Sequence, residues 1–162
     1  MADDLILKIT GKKQGEIKGE CKKKGHESQI DITSVSWGMN NPANMGRGGS
    51  GGTGAVTFSD ISFTKVVDAA SARLQTAATT GEVLTEVIFY FRKQGGKQEE
   101  YTLVTLKEAM VTNISISAGS GGEPHESVSL NFAKYEIVYK EQQPDGKLGG
   151  GIVASYDLKA TA

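Results

Sequence analysis

The chain has 162 residues, and its 18 Lys and Arg against 19 Asp and Glu leave a formal net charge of −1. This balance lacks the basic excess of nucleic-acid-binding proteins, so we predict no nucleic-acid partner. A single cysteine excludes an internal disulfide. The first four residues include two aspartates, and the apolar run over 5–9 is too short for a signal peptide or a membrane span. We therefore predict a protein made in the cytoplasm, with no signal peptide and no membrane insertion.

Apolar residues in the first part of the chain alternate as in β-strands. Residues 5–9 have the period of two expected of a half-buried strand. Between 30 and 39 the apolar positions change from even numbers, at Ile30 and Ile32, to odd numbers from Val35, which predicts that Trp37 faces the core. Residues 128–139 make the same change. Strands that switch their buried face midway are typical of a curled sheet or a closed barrel.

A glycine-rich segment over 40–54 separates two of these strand patterns. It contains Pro42 and glycines at 46, 48, 49, 51, 52 and 54, which predict a long protruding loop. The string G-x-G-x-x-G occurs in it, but a strand pattern follows where a dinucleotide site needs a helix. We assign the match to chance and predict no cofactor.

The second half of the chain predicts one short helix followed by strands. The helix covers about 71–80, with Ser71 as its N-terminal cap and Gly81 beyond its end. Strand patterns over 83–92 and 98–106 flank a Gly-Gly centre and predict a tight hairpin. Three more strands are predicted over 109–117, 127–140 and 152–158. The fold class is thus mainly antiparallel β, with about eight or nine strands and one helix.

Cys21, His26 and His125 are the residues from which a metal site or a Cys-His nucleophile pair could be built. All three lie in polar, lysine-rich or glycine-rich segments and lack the paired short spacing of zinc ligands. We therefore predict that they are solvated loop residues. The sequence predicts no catalytic residue, no metal site and no enzyme.

Two alternatives stay open on the residues alone. A monomeric β-sandwich could bind a ligand such as a glycan through an aromatic platform, for which Tyr135, Tyr139 and Tyr156 are available. An enzyme could use Cys21 with one of the two histidines. Self-assembly is the third reading, because a flexible extended loop can become ordered against another copy of the chain.

Several short segments together resemble the haemolysin-coregulated protein (Hcp) family of bacterial type VI secretion systems. They are GEIKGE at 15–20, ID at 30–31 followed by SWGM at 36–39, SFTK at 62–65, FRKQGG at 91–96, LKE at 106–108, GSGGE at 119–123 and SLNFA at 129–133. The segments follow the order of the family at nearly its spacing and extend over most of the chain.

This resemblance implies one compact antiparallel β-barrel over 1–162, made of two sheets with a flanking helix and a loop protruding at 40–54. It implies hexameric rings that stack into the inner tube of a contractile injector and carry small effector proteins in the channel. The implied partners are further copies of the chain, the spike protein, the sheath and the effectors. The protein would be exported from the bacterial cytoplasm to the extracellular space or a target cell.

Site residues follow from the resemblance as expectations about assembly surfaces. The loop that packs on the neighbouring ring corresponds to Asn44, Met45, Gly46, Arg47, Gly48, Gly49 and Ser50. Ser34 and Ser36 alternate with Val35 and Trp37, so if Trp37 faces the core both serines point away from it. In a ring whose inner wall is a sheet, these two serines are the predicted lumen-facing residues.

Overall fold

The computed structural model describes residues 4–42, 56–93, 99–142 and 148–159. These residues form eleven strands and one helix. The elements are β1 (Asp4–Gly11), β2 (Gly15–Ile17), β3 (Ile30–Asp31), β4 (Ser34–Ser36), β5 (Met39–Asn40), β6 (Thr57–Phe58), β7 (Ile61–Val66), α1 (Ser71–Thr80), β8 (Leu84–Arg92), β9 (Glu100–Ser117), β10 (His125–Gln142) and β11 (Leu148–Asp157).

Nine of the described strands form one antiparallel sheet. Its main order is β2-β1-β8-β9-β10-β7-β4, with β3 added to β1 and β11 added to β10, while β5 and β6 pair as a separate ribbon. The predicted mainly β class with one helix is confirmed. Within the described strands the hydrogen-bonded path stays open, so the two layers of the fold come from one sheet that bends.

The bend is visible in the buried positions of the two longest strands. In β9 the buried residues have even numbers up to Leu106 and odd numbers from Ala109, and in β10 they have even numbers up to Phe132 and odd numbers from Tyr135. Phe132 pairs with Ala109 and Tyr135 pairs with Leu106, so both strands change face at the same level. Glu108, with a φ of 52°, lies at this level in β9. The change of face predicted over 128–139 is confirmed.

One strand boundary was predicted wrongly. The segments 98–106 and 109–117 were expected to be separate strands, but both belong to the 18-residue β9. The left-handed backbone at Glu108 lets one strand bend without a turn, so the change in apolar parity marks a bend there and no chain break. The hairpin partner β8 pairs with β9 from Leu84 to Arg92, which confirms the hairpin, while its centre at 94–98 lies outside the described residues.

The helix has the predicted bounds but a different N-terminus. Ser71 was expected to be its cap, whereas the capping position is Ala70, which makes no side-chain capping bond. The Ser71 hydroxyl instead accepts a hydrogen bond from the Asp68 backbone N–H at 2.9 Å. At the other end Gly81 has a φ of 65° and terminates the helix as predicted. No helix in the described segments is long and apolar enough to cross a membrane.

A buried ionic cluster attaches the start of α1 to the sheet. Lys65 of β7 is fully buried and Glu126 of β10 is 2% exposed. The Lys65 ammonium forms an ion pair with Glu126, lies 2.7 Å from Asp68 and donates to the Ser71 hydroxyl at 3.1 Å. Ser71 in turn donates to Glu126 at 2.7 Å. The cluster thus joins β7, β10 and α1 inside an otherwise apolar core.

Candidate assembly surfaces

An uncharged polar face extends over four neighbouring strands. In β4, β7, β10 and β9 the paired residues form two cross-strand rows, which are Ser36, Ser62, Ser129 and Asn113 in one row and Ser34, Thr64, Ser127 and Ser115 in the other. We call these eight residues the polar ladder. Hydroxyl groups bond across it, with Ser34 and Thr64 at 2.6 Å and Ser62 and Ser129 at 2.8 Å. Every member is a small hydroxyl or amide residue, so the ladder carries no charge.

Both serines singled out by the sequence belong to the polar ladder. Ser34 and Ser36 are exposed, while Val35 between them packs against the core. Trp37 is half-buried against the core, and its Nε1 donates to the Tyr135 hydroxyl at 2.9 Å. The alternation expected of this segment is therefore present. That the face lines a channel stays a prediction.

The β11 arm, defined here as β11 with the paired end of β10, exposes apolar side chains on both faces. Ile152 is 65% exposed and Val153 is 58% exposed. Consecutive strand residues point to opposite faces, so neither face of β11 is covered at this position. Tyr139, opposite Ile152, is also exposed, and Val138 lies opposite Val153. Among the described strands β11 pairs only with β10.

The residues on either side of the predicted loop lie next to each other. β5 and β6 pair through Met39 with Phe58 and Asn40 with Thr57, so the first residue of the predicted loop belongs to a strand. Phe58 packs on Tyr156 with ring centres 5.2 Å apart, which attaches the ribbon to β11. The predicted stacking residues, Asn44 to Ser50, lie outside the described residues.

The three tyrosines offered to a glycan do not form a platform. Tyr135 is 5% exposed, within the core cluster, and burial raises the pKa of its hydroxyl against the opposing hydrogen bond from Trp37. Tyr156 is half-buried under Phe58. Tyr139 alone of the three is exposed. The site that the monomeric ligand-binding alternative needs is therefore not assembled by these residues.

The prediction that Cys21 and His26 are solvated is wrong. Cys21 is 3% exposed and His26 is 7% exposed. The His26 ring contacts Glu100, which lies 74 residues away in sequence, so the local lysine-rich composition gave no sign of its burial. His125 is exposed, but it begins strand β10 and pairs with Val66.

These residues do not form a catalytic pair. Burial raises the pKa of the Cys21 thiol, which disfavours the nucleophilic thiolate. The ring nitrogens of His26 are occupied by Gln29 and Glu100. Within the described part of the chain no group of three His, Cys, Asp or Glu residues is placed to hold a metal ion.

The described residues form a mainly β protein, and its candidate functional surfaces are the polar ladder and the β11 arm. Residues 6–139 match the family model described as "Type VI secretion system effector, Hcp". The chain belongs to the Hcp family, a family of structural components of the type VI secretion system.

Individual relatives agree with this assignment over nearly the whole chain. "Protein hcp1" of Pseudomonas aeruginosa is 42% identical over 156 residues, covering 94% of this chain and 93% of the relative. "Major exported protein" of the same organism is 33% identical, covering 87% of each. The crystal structure of Hcp1 from Salmonella typhimurium superposes with a TM-score of 0.80 at 29% identity, covering 99% of this chain and 97% of the other.

Proposed function

We propose that this chain is the subunit of the type VI secretion inner tube. Six copies close into a ring, rings stack into a tube, and small effector proteins travel in the channel and leave the cell with it. Membership of the Hcp family supports this proposal, as does the exported relative. The self-assembly step rests on one observation, which is that the β11 arm exposes apolar side chains on both of its faces.

The β11 arm supplies a physical reason for association. Covering one Ile or Val side chain stabilises a contact by about 1.5–3 kcal/mol. Ile152 and Val153 point to opposite faces, so an arm inserted between neighbouring subunits would gain on both sides. A contact that joins two different surfaces repeats around an axis, and it closes into a ring when the rotation permits. Six modest contacts then hold the ring together.

The other two surfaces take the remaining roles. The polar ladder lines the channel, where a wall of small uncharged groups holds no large apolar or ionic anchor and lets cargoes of either charge pass. The residues Asn44 to Ser50 pack on the adjacent ring. The β5–β6 ribbon, formed by residues on either side of the predicted loop, contacts β11 through Phe58 and Tyr156.

Ile152→Asp is expected to dissociate the rings. A carboxylate in the contact loses the apolar burial and is costly to desolvate, so the affinity of each contact falls at least tenfold. Light scattering after size exclusion measures the mass, and negative-stain imaging detects rings. The wild type should have the mass of about six subunits, and the variant the mass of one.

Val67→Asp is the matched control, because Val67 is an exposed apolar residue outside the arm. It should leave the rings intact. Rings of unchanged mass in Ile152→Asp would contradict the role of the arm. A wild-type protein that stays monomeric at every concentration would overturn the proposed function and favour the monomeric ligand-binding alternative.

The position of the polar ladder is tested by distances between spin labels. In a six-fold ring the distance between labels on adjacent subunits equals the distance of the label from the axis, so a channel-facing site gives the shortest values. Ser34→Cys should give shorter distances than Thr76→Cys on the exposed face of α1. The native Cys21 is buried and its thiol pKa is raised by burial, so it should stay unlabelled. Longer distances at residue 34 than at residue 76 would place the ladder away from the channel.

A further inference from the structure

A groove runs between α1 and the last part of β9, and we call it the α1–β9 groove. Its apolar lining consists of Ala78, Val111, Ile114 and Ile116. The other side chains that line it are glutamine, threonine and asparagine, so the groove carries no charge. Among the described strands β8 pairs with β9 only as far as Ala109, which leaves the side of β9 away from β10 open beyond this residue.

The core of the protein reaches the surface in this groove. Val111 is a member of the buried core, and Ala78 and Ile114 pack against it. Ile114 lies opposite Val128 of β10, which is fully buried. Ile116 is the next residue on that face of β9, yet it is 49% exposed. The core is therefore uncovered at Ile116, where a further apolar side chain would extend it.

The β11 arm presents an exposed side chain of the same character. Ile152 is 65% exposed and lies opposite Tyr139 of β10. Ile137, on the same face of β10, packs against the core, so Ile152 lies on the core side of the arm. Residues 149–155 of β11 contain no charged side chain. The arm thus offers an aliphatic group that matches the α1–β9 groove, and their contact desolvates no charge of either segment.

Ile152 cannot fill the groove of its own subunit. It lies opposite Tyr139, towards one end of β10, whereas Ile116 lies opposite Glu126, at the other end. A strand advances by about 3.3 Å per residue, so these two places are tens of ångströms apart along β10, with the bend between them. An occupant of the groove has to come from another molecule.

A second exposed apolar site on β9 is a poorer acceptor. Met110 is 41% exposed and borders a groove that is also lined by Lys12, Glu108 and Lys159. Glu108 and Lys159 form an ion pair there. An isoleucine inserted at this place would remove water from charged groups, which is costly. The α1–β9 groove is free of this cost, so its chemistry fits Ile152 better.

We propose that the α1–β9 groove of one subunit receives Ile152 from the β11 arm of the next subunit. This inference rests on the proposed ring-forming function and names the surface that the arm contacts. Arm and groove are different surfaces of one chain, so each subunit inserts its arm into one neighbour and accepts the arm of the other. Asn113 lines the groove and also belongs to the polar ladder, so the docked neighbour lies beside the ladder.

Disulfide cross-linking tests this contact. A disulfide requires Cα atoms about 4.4–6.8 Å apart, so its formation reports direct contact. The double variant Ile116→Cys with Ile152→Cys, oxidised as assembled rings, should give a ladder of covalent species up to about six subunits on a non-reducing denaturing gel. The two single variants, co-expressed, should give dimers only, because each chain then has one new thiol. The native Cys21 is 3% exposed and should not react.

The matched control for cross-linking is Val67→Cys with Ile152→Cys, because Val67 is an exposed apolar residue outside both surfaces. It should give no ladder. Mutation of the groove supplies a second measurement that needs no disulfide. Ile116→Asp should lower the affinity of each contact at least tenfold and dissociate the rings, whereas Met110→Asp should leave them intact.

The outcomes separate this contact from the proposed function. Rings that persist in Ile116→Asp, a missing cross-link between positions 116 and 152 in intact rings, or cross-linking of Ile152→Cys to a second copy of itself would each overturn the contact and leave the ring-forming function standing. A wild-type protein that light scattering shows to be monomeric at every concentration would overturn the function itself.

Discussion

Replacing Lys65 with methionine is expected to lower the free energy of unfolding by about 3–5 kcal/mol. Lys65 is fully buried and Glu126 is 2% exposed. Methionine fills a similar volume but leaves the Glu126 carboxylate without its cation, and the Ser71 hydroxyl alone cannot compensate a buried negative charge. Urea denaturation at a fixed protomer concentration measures the loss, because oligomerisation adds to apparent stability.

The double variant Lys65→Met with Glu126→Leu is the decisive comparison. It removes both charges together, and replacing a buried ion pair by apolar residues is often nearly neutral. We therefore expect most of the lost stability to return. Lys107→Met serves as the surface control, since the Lys107 side chain is 49% exposed in its ion pair with Glu86 and should contribute less than about 1 kcal/mol. A loss in Lys65→Met no larger than in this control would contradict the interpretation.

The inward positions of Lys65 and Glu126 could have been read from the alternation of their strands, although the overall composition does not reveal them. Lys65 follows Ile61 and Phe63 at the inward positions of β7, and Glu126 precedes Val128 and Leu130 at the inward positions of β10. Alternation alone therefore places two opposite charges inside the sheet. What it cannot supply is the antiparallel register of β7 on β10, which brings them together across 61 residues. The unexpected role of Ser71 as a partner of this pair has the same cause.

The features of the fold that could be predicted are those determined by residues close together in the sequence. The Gly-Gly hairpin, the end of α1 at Gly81 and the changes of buried face each depend on a few adjacent positions. The polar ladder was found in part, because alternation identifies Ser34 and Ser36 on one strand but not the residues paired beside them. The burial of His26 was missed because its contact with Glu100 exists only in the folded sheet.

Gly19→Ala is expected to destabilise the protein by about 1–3 kcal/mol, for a reason that no side-chain pattern reveals. An added Cβ would lie 2.7 Å from the Gln29 carbonyl oxygen and 2.9 Å from the Ile30 Cα. Both are backbone atoms at the base of the loop over 19–29, so neither can move aside as a flexible side chain would. Relief requires separating the two ends of the loop, which weakens the bond from the Gly19 N–H to Ser28.

Gly119→Ala is the matched control for this steric argument. An added Cβ at Gly119 meets no atom within 4 Å. The alanine there should be neutral or slightly stabilising, because it restricts the unfolded chain. Urea denaturation compares the global stabilities, and exchange of the Ser28 N–H detects the local opening. Equal stabilities of the two alanine variants would show that the loop ends can separate freely.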